Sequence, residues 1–385
     1  MADAAVRSLA LGLDAGGTYT DAAILDLAGG QVVGWAKAPT RHDDLTHGLA
    51  AVLAQLDPQL LAAVTVVSLS TTLATNALVE DRGARVGLLL MPPSPNAAAA
   101  VRWAPCRLLP GRLTIDGREL EPVDHAAVRA VVAELLAEGV ESFAVSGYAG
   151  VANPVHELAV GALVAEISGR PVICGHQLTG RLDFVRRAHT AALNARLMPI
   201  IGRLFDAATE VLASVGVQAP LYIVRGDGSL LAVDAARQRP IETILSGPAA
   251  SVVGARYLTG LDDLAVIDIG GTTTDVALVE GGQTAVGDEG AVVGSWRTSV
   301  TAAEIMTSGL GGDSVVALLD GGARLAIGPG RAEPISATAA AWPTVNAELA
   351  DIAALAGEAV IAPAHLEWFR RVGPSPAGRL EPREE

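Results

Sequence analysis

The chain has 385 residues and a mass of 39.1 kDa, a length that accommodates two domains or three at roughly 100–200 residues per domain. Half of the residues are hydrophobic and 18% are charged, enough for a sizeable core and too apolar for a disordered chain. A net charge of −15 with a pI of about 4.9 argues against nucleic-acid binding and against a basic membrane-surface protein.

All but one of the 27 basic residues are arginine, the exception being Lys37. With no Gly-Lys-Ser/Thr string, a Walker-type loop is excluded. Lys37 would have to be the sole Schiff-base candidate. Cys106 and Cys174 are too few for a disulfide framework and fit a reducing cytoplasm. No histidine pair has a familiar metal-ligand spacing, and no run of about 20 apolar residues is present to span a membrane. The 3% aromatic content leaves little material for base stacking.

In chain order, the N-terminal stretch to Gly17 reads as a first strand rather than a signal-peptide core. Strands are predicted over 8–14, 20–27 and 31–37, then a helix over 43–56 with Asp43 and Asp44 as cap and first-turn acids. A strand at 64–69, a helix at 71–82 and a strand at 85–90 follow. Residues 91–96 and 103–122 read as irregular surface loops. Helices are predicted at 124–138 and 154–168, with strands at 141–146 and 171–174. A long helix covers 186–214, followed by a strand at 221–225 and a helix at 247–258 with Pro248 in its first turn. Strands at 264–269 and 274–280 precede helices at 302–308, 313–319 and 346–360. The tail 372–385 is rich in Pro, Gly and charge and is expected to fray. This alternation predicts an α/β fold.

An internal repeat is the most informative feature. Residues 14–25 read DAGGTYTDAAIL and residues 268–279 read DIGGTTTDVALV, with seven identities in twelve at an offset of 254. Each copy follows an apolar strand and precedes a second apolar run rather than a helix. In a dinucleotide fold the glycine turn opens a helix; here it joins two strands. Paired glycines let the backbone approach a ligand and expose successive N–H groups to an anion. Asp14 and Asp268 end their strands where a carboxylate can hold a magnesium ion or its water. Two such hairpins facing each other would grip the phosphates of one nucleotide. Gly16, Gly17, Gly270 and Gly271 form the turns. Thr18, Thr20, Thr272, Thr273 and Thr274 offer hydroxyls to phosphate or simply suit the strands. A third cluster, TSGLGGDS at 307–314, places Gly309, Gly311, Gly312 and Ser314 before a short helix or strand. It is either a cap or a loop approaching adenosine.

These motifs together resemble the actin-like ATPase superfamily of sugar kinases, Hsp70 and actin, and more specifically the hydantoinase A / 5-oxoprolinase family. LDAGGTYTDAAILD at 13–26, STTLATNALVEDRGARVGLLL at 70–90, RRAHTAALNARLMPII at 186–201, RGDGSLL at 225–231, ETILSGPAASVVGA at 242–255 and VIDIGGTTTDVALV at 266–279 follow in the family's order. The resemblance covers about residues 8–330. It implies two RNase H-like domains with a nucleotide cleft between them, domain I over 1–185 and domain II over 186–371. It also implies ATP and Mg²⁺ as cofactors, a small-molecule cyclic amide or other carbonyl substrate phosphorylated on oxygen, and a hydantoinase B-type subunit as partner. Asp14, Asp268 and Asp275 are the candidate catalytic residues, with Asp14 and Asp268 on the metal.

Thr71, Thr72 and Asn76 either face the cleft on the substrate side or only cap a helix. Arg187 is a candidate carboxylate or phosphate clamp, or a surface arginine. Ser246-Gly247-Pro248 opens a helix as an anion site or a plain cap. The sequence departs from the family at Ser70, where glycine is usual, at Arg186, and at Glu304 and Met306, which stand where long members have an acid and a histidine. It also stops soon after the third glycine cluster, which reads as a short form. The other reading is an actin-like ATPase switch or reactivase that remodels a partner enzyme.

Overall fold

The computed structural model describes residues 8–17, 19–40, 45–270, 273–287, 289–312, 314–332, 342 and 344. The expected helix at 346–360, the tail and the capping aspartates 43 and 44 lie outside them. The chain divides into two compact units, Met1–Leu264 with Val279–Glu304, and Ala265–Leu278 with Ile305–Glu385.

The first unit opens with strands β1 (Leu9–Ala15), β2 (Tyr19–Asp26) and β3 (Gln31–Pro39), helices α1 (Leu45–Leu53) and α2 (Pro58–Ala62), strand β4 (Val64–Thr71) and helix α3 (Leu73–Val79). Strand β5 (Val86–Met91) and helix α4 (Pro95–Ala100) lead into short strands β6 (Cys106–Leu108), β7 (Arg112–Leu113) and β8 (Glu119–Glu121). Helix α5 (His125–Ala137), strand β9 (Ser142–Gly147), helix α6 (Val155–Ser168) and strand β10 (Val172–Cys174) precede the long helix α7 (Phe184–Ser214). Then come β11 (Leu221–Val224), β12 (Leu230–Ala232), α8 (Val233–Gln238) and α9 (Ser246–Thr259).

A six-stranded sheet has the order β12-β11-β4-β1-β2-β3. Strands β1 to β3 are antiparallel neighbours, and β4 and β11 run parallel to β1. That is the order and direction of an RNase H-like sheet, as the sequence led us to expect. Leu9, Leu11 and Leu13 alternate into its core beside Ala22 and Ile24 of β2, the period-two burial of a strand. Between α3 and α7 the chain inserts a parallel sheet of order β10-β9-β5-β6. Every residue of β5 and β9 is buried, as a parallel sheet covered on both faces requires.

Helix α7 serves both sheets. Its 31 residues span about 46 Å at about 1.5 Å per residue. Ala188, Ala191, Ala192 and Ala195 pack with β5 and β10 residues. Farther along, Leu197, Ile201, Leu204 and Phe205 enter the core of the six-stranded sheet. The expected boundary between residues 185 and 186 falls inside the start of α7, and β11, beyond it, pairs with β4, before it.

The remaining strands are β13 (Leu264–Ile269), β14 (Thr274–Glu280), β15 (Gln283–Thr284), β16 (Val292–Val293), β17 (Trp296–Arg297), β18 (Ile305–Ser308), β19 (Ser314–Leu319) and β20 (Arg324–Arg331). In the second unit β14 pairs antiparallel with β18, and β19 with β20.

Four sequence expectations need correction. Residues 305–308 and 314–319 are strands, not helices. Short apolar runs do not distinguish the two, and here Met306 and Thr307 find main-chain partners on β14. The stretch after Met91 is not wholly irregular: Ser94 caps α4 by accepting from Ala97 N at 3.3 Å, with Pro95 in the first turn. Residues 103–122 contain β6, β7 and β8. No helix among the described residues is long and apolar enough to cross a membrane.

Candidate functional site: two glycine hairpins

The sequence repeat is also a repeat of geometry. In the first hairpin Gly16 N donates to Tyr19 O at 3.1 Å; in the second, Gly270 N donates to Thr273 O at 2.8 Å. These are the same positions of the repeat. At Gly16 a Cβ would stand 2.8 Å from Tyr19 O, so this turn admits only glycine. Thr18, Gly271 and Thr272 lie outside the described residues.

In the first unit, parallel register sets Asp14 of β1 against Ser70 of β4 and Ala15 against Thr71. Ser70 Oγ donates to Asp14 Oδ1 at 2.6 Å, a charge-assisted bond that aims the carboxylate. Thr71 Oγ1 donates to Ala15 O at 3.1 Å and accepts from Leu73 N at 3.0 Å. Its side chain therefore ties hairpin strand to helix start. Thr72 and Asn76 stand over the turn: a Cβ on Gly17 would lie 3.5 Å from Asn76 Nδ2 and 3.9 Å from Thr72 Oγ1. Thr20 Oγ1 and Thr40 Oγ1 are 3.0 Å apart, and Thr40 donates to Gly16 O at 2.9 Å.

The N-terminus of α9 closes this group. Ser246 Oγ accepts from Thr71 N at 3.1 Å and donates to Thr71 O at 3.0 Å. Leu245 N donates to Thr75 Oγ1 at 3.0 Å, and Leu245 itself takes the left-handed conformation that starts the helix. A Cβ on Gly247 would sit 3.4 Å from Thr72 Cγ2 and 3.9 Å from Asp14 Oδ1. The positive end of a 14-residue helix thus opens beside Asp14, Gly17 and Thr72, a place suited to anionic phosphate with its cation. Ser70, Ser246 and Thr40 were not assigned these roles from sequence. The Ser246-Gly247-Pro248 string was the available signal, but the contact that matters lies 175 residues away.

In the second unit, hairpin and third glycine cluster are joined. Gly312 N donates to Gly270 O at 3.0 Å, and Thr274 Oγ1 donates to Leu310 O at 2.7 Å. Ser314 Oγ accepts from Gly311 N at 2.9 Å. Thr307 Oγ1 donates to Asp275 Oδ1 at 2.6 Å across the β14–β18 register. Partial burial pushes the Asp275 carboxyl up; the Thr307 bond opposes this, and the neighbouring Asp268 carboxylate adds to it. Asp268 and Gly309 flank this group on β13 and in the loop after β18.

Arg187 stands elsewhere. It is fully buried, donating to Gly147 O at 2.6 Å and Arg181 O at 3.0 Å. Beside it Glu157, also fully buried, accepts from Gly147 N at 2.8 Å and from His176 Nδ1 at 2.6 Å. Glu157, Cys174 and His176 are near enough to share a metal ion. Yet the carboxylate oxygens are already engaged, and burial first, then Glu157, push the Cys174 thiol up to about 12. The group reads as a structural lock at the ends of β9 and β10. Cys106 is likewise pushed up to about 11 by burial, and neither cysteine is in a disulfide.

A family model described as the hydantoinase/oxoprolinase N-terminal region matches residues 10–168, and one described as hydantoinase/oxoprolinase matches residues 187–366. The caprolactamase subunit alpha of Pseudomonas jessenii is 30% identical over 351 residues, covering 83% of this chain and 50% of the relative. The acetophenone carboxylase gamma subunit of Aromatoleum aromaticum is 28% identical over 360 residues, covering 82% and 48%. Among solved structures, nucleotide-free acetone carboxylase superposes with a TM-score of 0.71 at 23% identity, over 84% of this chain and 51% of that one. ATP-dependent caprolactamase from Pseudomonas jessenii gives 0.68 at 30% identity, over 84% and 51%. The chain spans about half the length of the curated relatives it matches. Two family models that together cover most of the sequence, and a fold shared with a 30% identical solved relative, place this chain in the hydantoinase/oxoprolinase family.

Proposed function

We propose that this protein is an ATP-dependent enzyme of the hydantoinase/oxoprolinase type, acting on a cyclic amide, imide or other carbonyl compound together with a partner subunit. The observation that carries the reading is the paired turn, Gly16 N to Tyr19 O and Gly270 N to Thr273 O, each beginning two residues after an aspartate. The relatives support it: they include an ATP-dependent caprolactamase, a 5-oxoprolinase and subunits of ketone carboxylases.

The residues fit magnesium-ATP. Glycine at 16 and 17 leaves the hairpin backbone bare, α9 presents an N-terminus beside Asp14, and Ser70 aims that carboxylate. In this reading Asp14 and Asp268 hold magnesium or its water. Gly16, Gly17 and Thr18, with Gly270, Gly271, Thr272 and Thr273, hold phosphate oxygens; the Thr20 and Thr274 hydroxyls, expected from sequence to join them, are buried and donate within the protein, toward Thr40 and to Leu310 O. Gly309, Gly311, Gly312 and Ser314 form the nucleoside loop. ATP supplies a phosphoryl group that turns a carbonyl oxygen into a good leaving group, with magnesium neutralising the developing charge. Thr72 and Asn76 orient the carbonyl compound, and Thr71 positions them. In this reading Asp275, its carboxyl pushed up mainly by burial, takes or returns a proton. Two unpaired thiols suit a reducing compartment such as the cytoplasm.

The test is ADP release from magnesium-ATP with and without a panel of lactams, imides and ketones. Turnover should rise with one compound class and fall at least about a hundredfold in Asp14→Asn and Asp268→Asn, the scale on which loss of a charge-stabilising group acts. Mutant-sensitive turnover indifferent to the panel would favour the switch reading. Wild-type turnover in both variants would overturn the site.

A further inference from the structure

Aromatic residues are scarce in this chain, yet two of its five tryptophans meet. Trp103, between α4 and β6, and Trp296, on β17, have ring centroids 5.6 Å apart and planes inclined at 53°. Both line a cavity of about 430 Å³ in the first unit, within the range of roughly 300–1,000 Å³ usual for small-molecule sites. The wall is braced. Trp103 Nε1 donates to Val86 O at 3.3 Å, and the Arg196 guanidinium lies over its ring, 5.9 Å from the centroid. His189 meets Trp296 edge-on at 5.0 Å, and its Nε2 accepts from Arg102 N at 3.1 Å.

The cavity is also cationic. Arg85, Arg102 and Arg196 line it against Asp81 and Glu141. Arg196 is engaged with Asp81 at 2.6 Å, but its buried Nε has no hydrogen-bond partner. Arg85 reaches Glu138 only at 4.0 Å. Among the described residues the Arg102 guanidinium, which is exposed, has no ion pair and no hydrogen bond. A chain of net charge −15 therefore keeps three guanidinium groups around one aromatic wall. Along the chain the cavity and the hairpin group lie on opposite sides of the end of α3: Asp81 and Gly83 follow that end, whereas Thr72 caps the start of the helix and Asn76 lies at its middle.

We propose that this cavity binds a small planar aromatic carboxylate, with its ring on the Trp103–Trp296 wall and its carboxylate on Arg102. Aromatic pairs gain from tilted and edge-to-face contact beyond their buried area, and a guanidinium matches a carboxylate with two parallel hydrogen bonds. A saturated ring loses the first contribution and an uncharged amide loses the second. The site does not depend on the ATP reading and would stand if that reading failed.

Intrinsic tryptophan fluorescence of the full chain, titrated with benzoate, tests this directly. Benzoate should give a saturable change, and Trp103→Phe and Trp296→Phe should each cut its amplitude by half or more. Arg102→Ala, at an exposed position, should weaken binding at least tenfold while circular dichroism stays that of the wild type. Benzamide and cyclohexanecarboxylate should each bind at least tenfold more weakly. No saturable change into the millimolar range, or unaltered affinity in Arg102→Ala, would overturn the site. Equal binding of benzamide or of cyclohexanecarboxylate would overturn the ligand class.

Discussion

Ser246 shows how much one hydroxyl can carry. It is fully buried, and both its donor and its acceptor capacity are spent on the backbone of Thr71. Thr71 in turn bonds Ala15 O beside the first glycine turn. Removing the hydroxyl leaves a buried N–H and C=O without that partner, which costs about 1–3 kcal/mol. Ser246→Ala should therefore lower the free energy of unfolding by that amount, seen in calorimetry as a lower melting temperature. It should also reduce ATP turnover, because the start of α9 would lose its anchor beside Asp14. Full stability in Ser246→Ala would show that the bond is replaced by water. The same scale explains Arg187. A helix arginine next to a family motif looked available for a ligand, but burial and two carbonyl acceptors commit its guanidinium to the protein interior.

At the scale of elements, the pairing of β14 with β18 is the part that local reading missed. Residues 302–308 looked helical, yet Ile305–Ser308 completes the ladder that brings Thr307 to Asp275. This pairing has a pH signature. The folded carboxyl of Asp275 is pushed above its ordinary value, mainly by burial. The native state then holds the proton more tightly than the unfolded chain, whose aspartates titrate near about 3.9. Its contribution to stability is full below that value and is lost as pH rises through the raised folded value. Stability measured against pH should show this decline in the wild type and lose it in Asp275→Asn. Thr307→Val, which deletes the bond favouring the ionised form, should move the decline to higher pH. An identical profile in Asp275→Asn would assign the decline to another group.

For the whole molecule, each compact unit carries one copy of the glycine hairpin. A ligand that binds only the folded protein stabilises it by mass action, by about 2.7 kcal/mol at a hundredfold excess over its dissociation constant. On the proposed reading each hairpin contributes to nucleotide binding, so magnesium-ATP should raise the melting temperature of the wild type. The rise should vanish in Asp14→Asn and also in Asp268→Asn, though these residues belong to different units. A shift kept in one variant would mean that its hairpin does not contribute.

By itself the sequence determined the α/β class, the two hairpins, the long helix and the family, because these rest on local periodicity, on paired glycines and on motif order. The Gly-Gly turn closes over four residues in both copies, so a short window contains its cause. Tertiary structure alone decided which groups surround those turns. Ser70 reaches Asp14 across 56 residues and Ser246 reaches Thr71 across 175. It also decided that Arg187 is interior, that residues 305–308 are a strand, and that Trp103 and Trp296 share a wall. Each of these follows from sheet register and helix packing, which join segments far apart in the chain and leave no trace in the local pattern of either one.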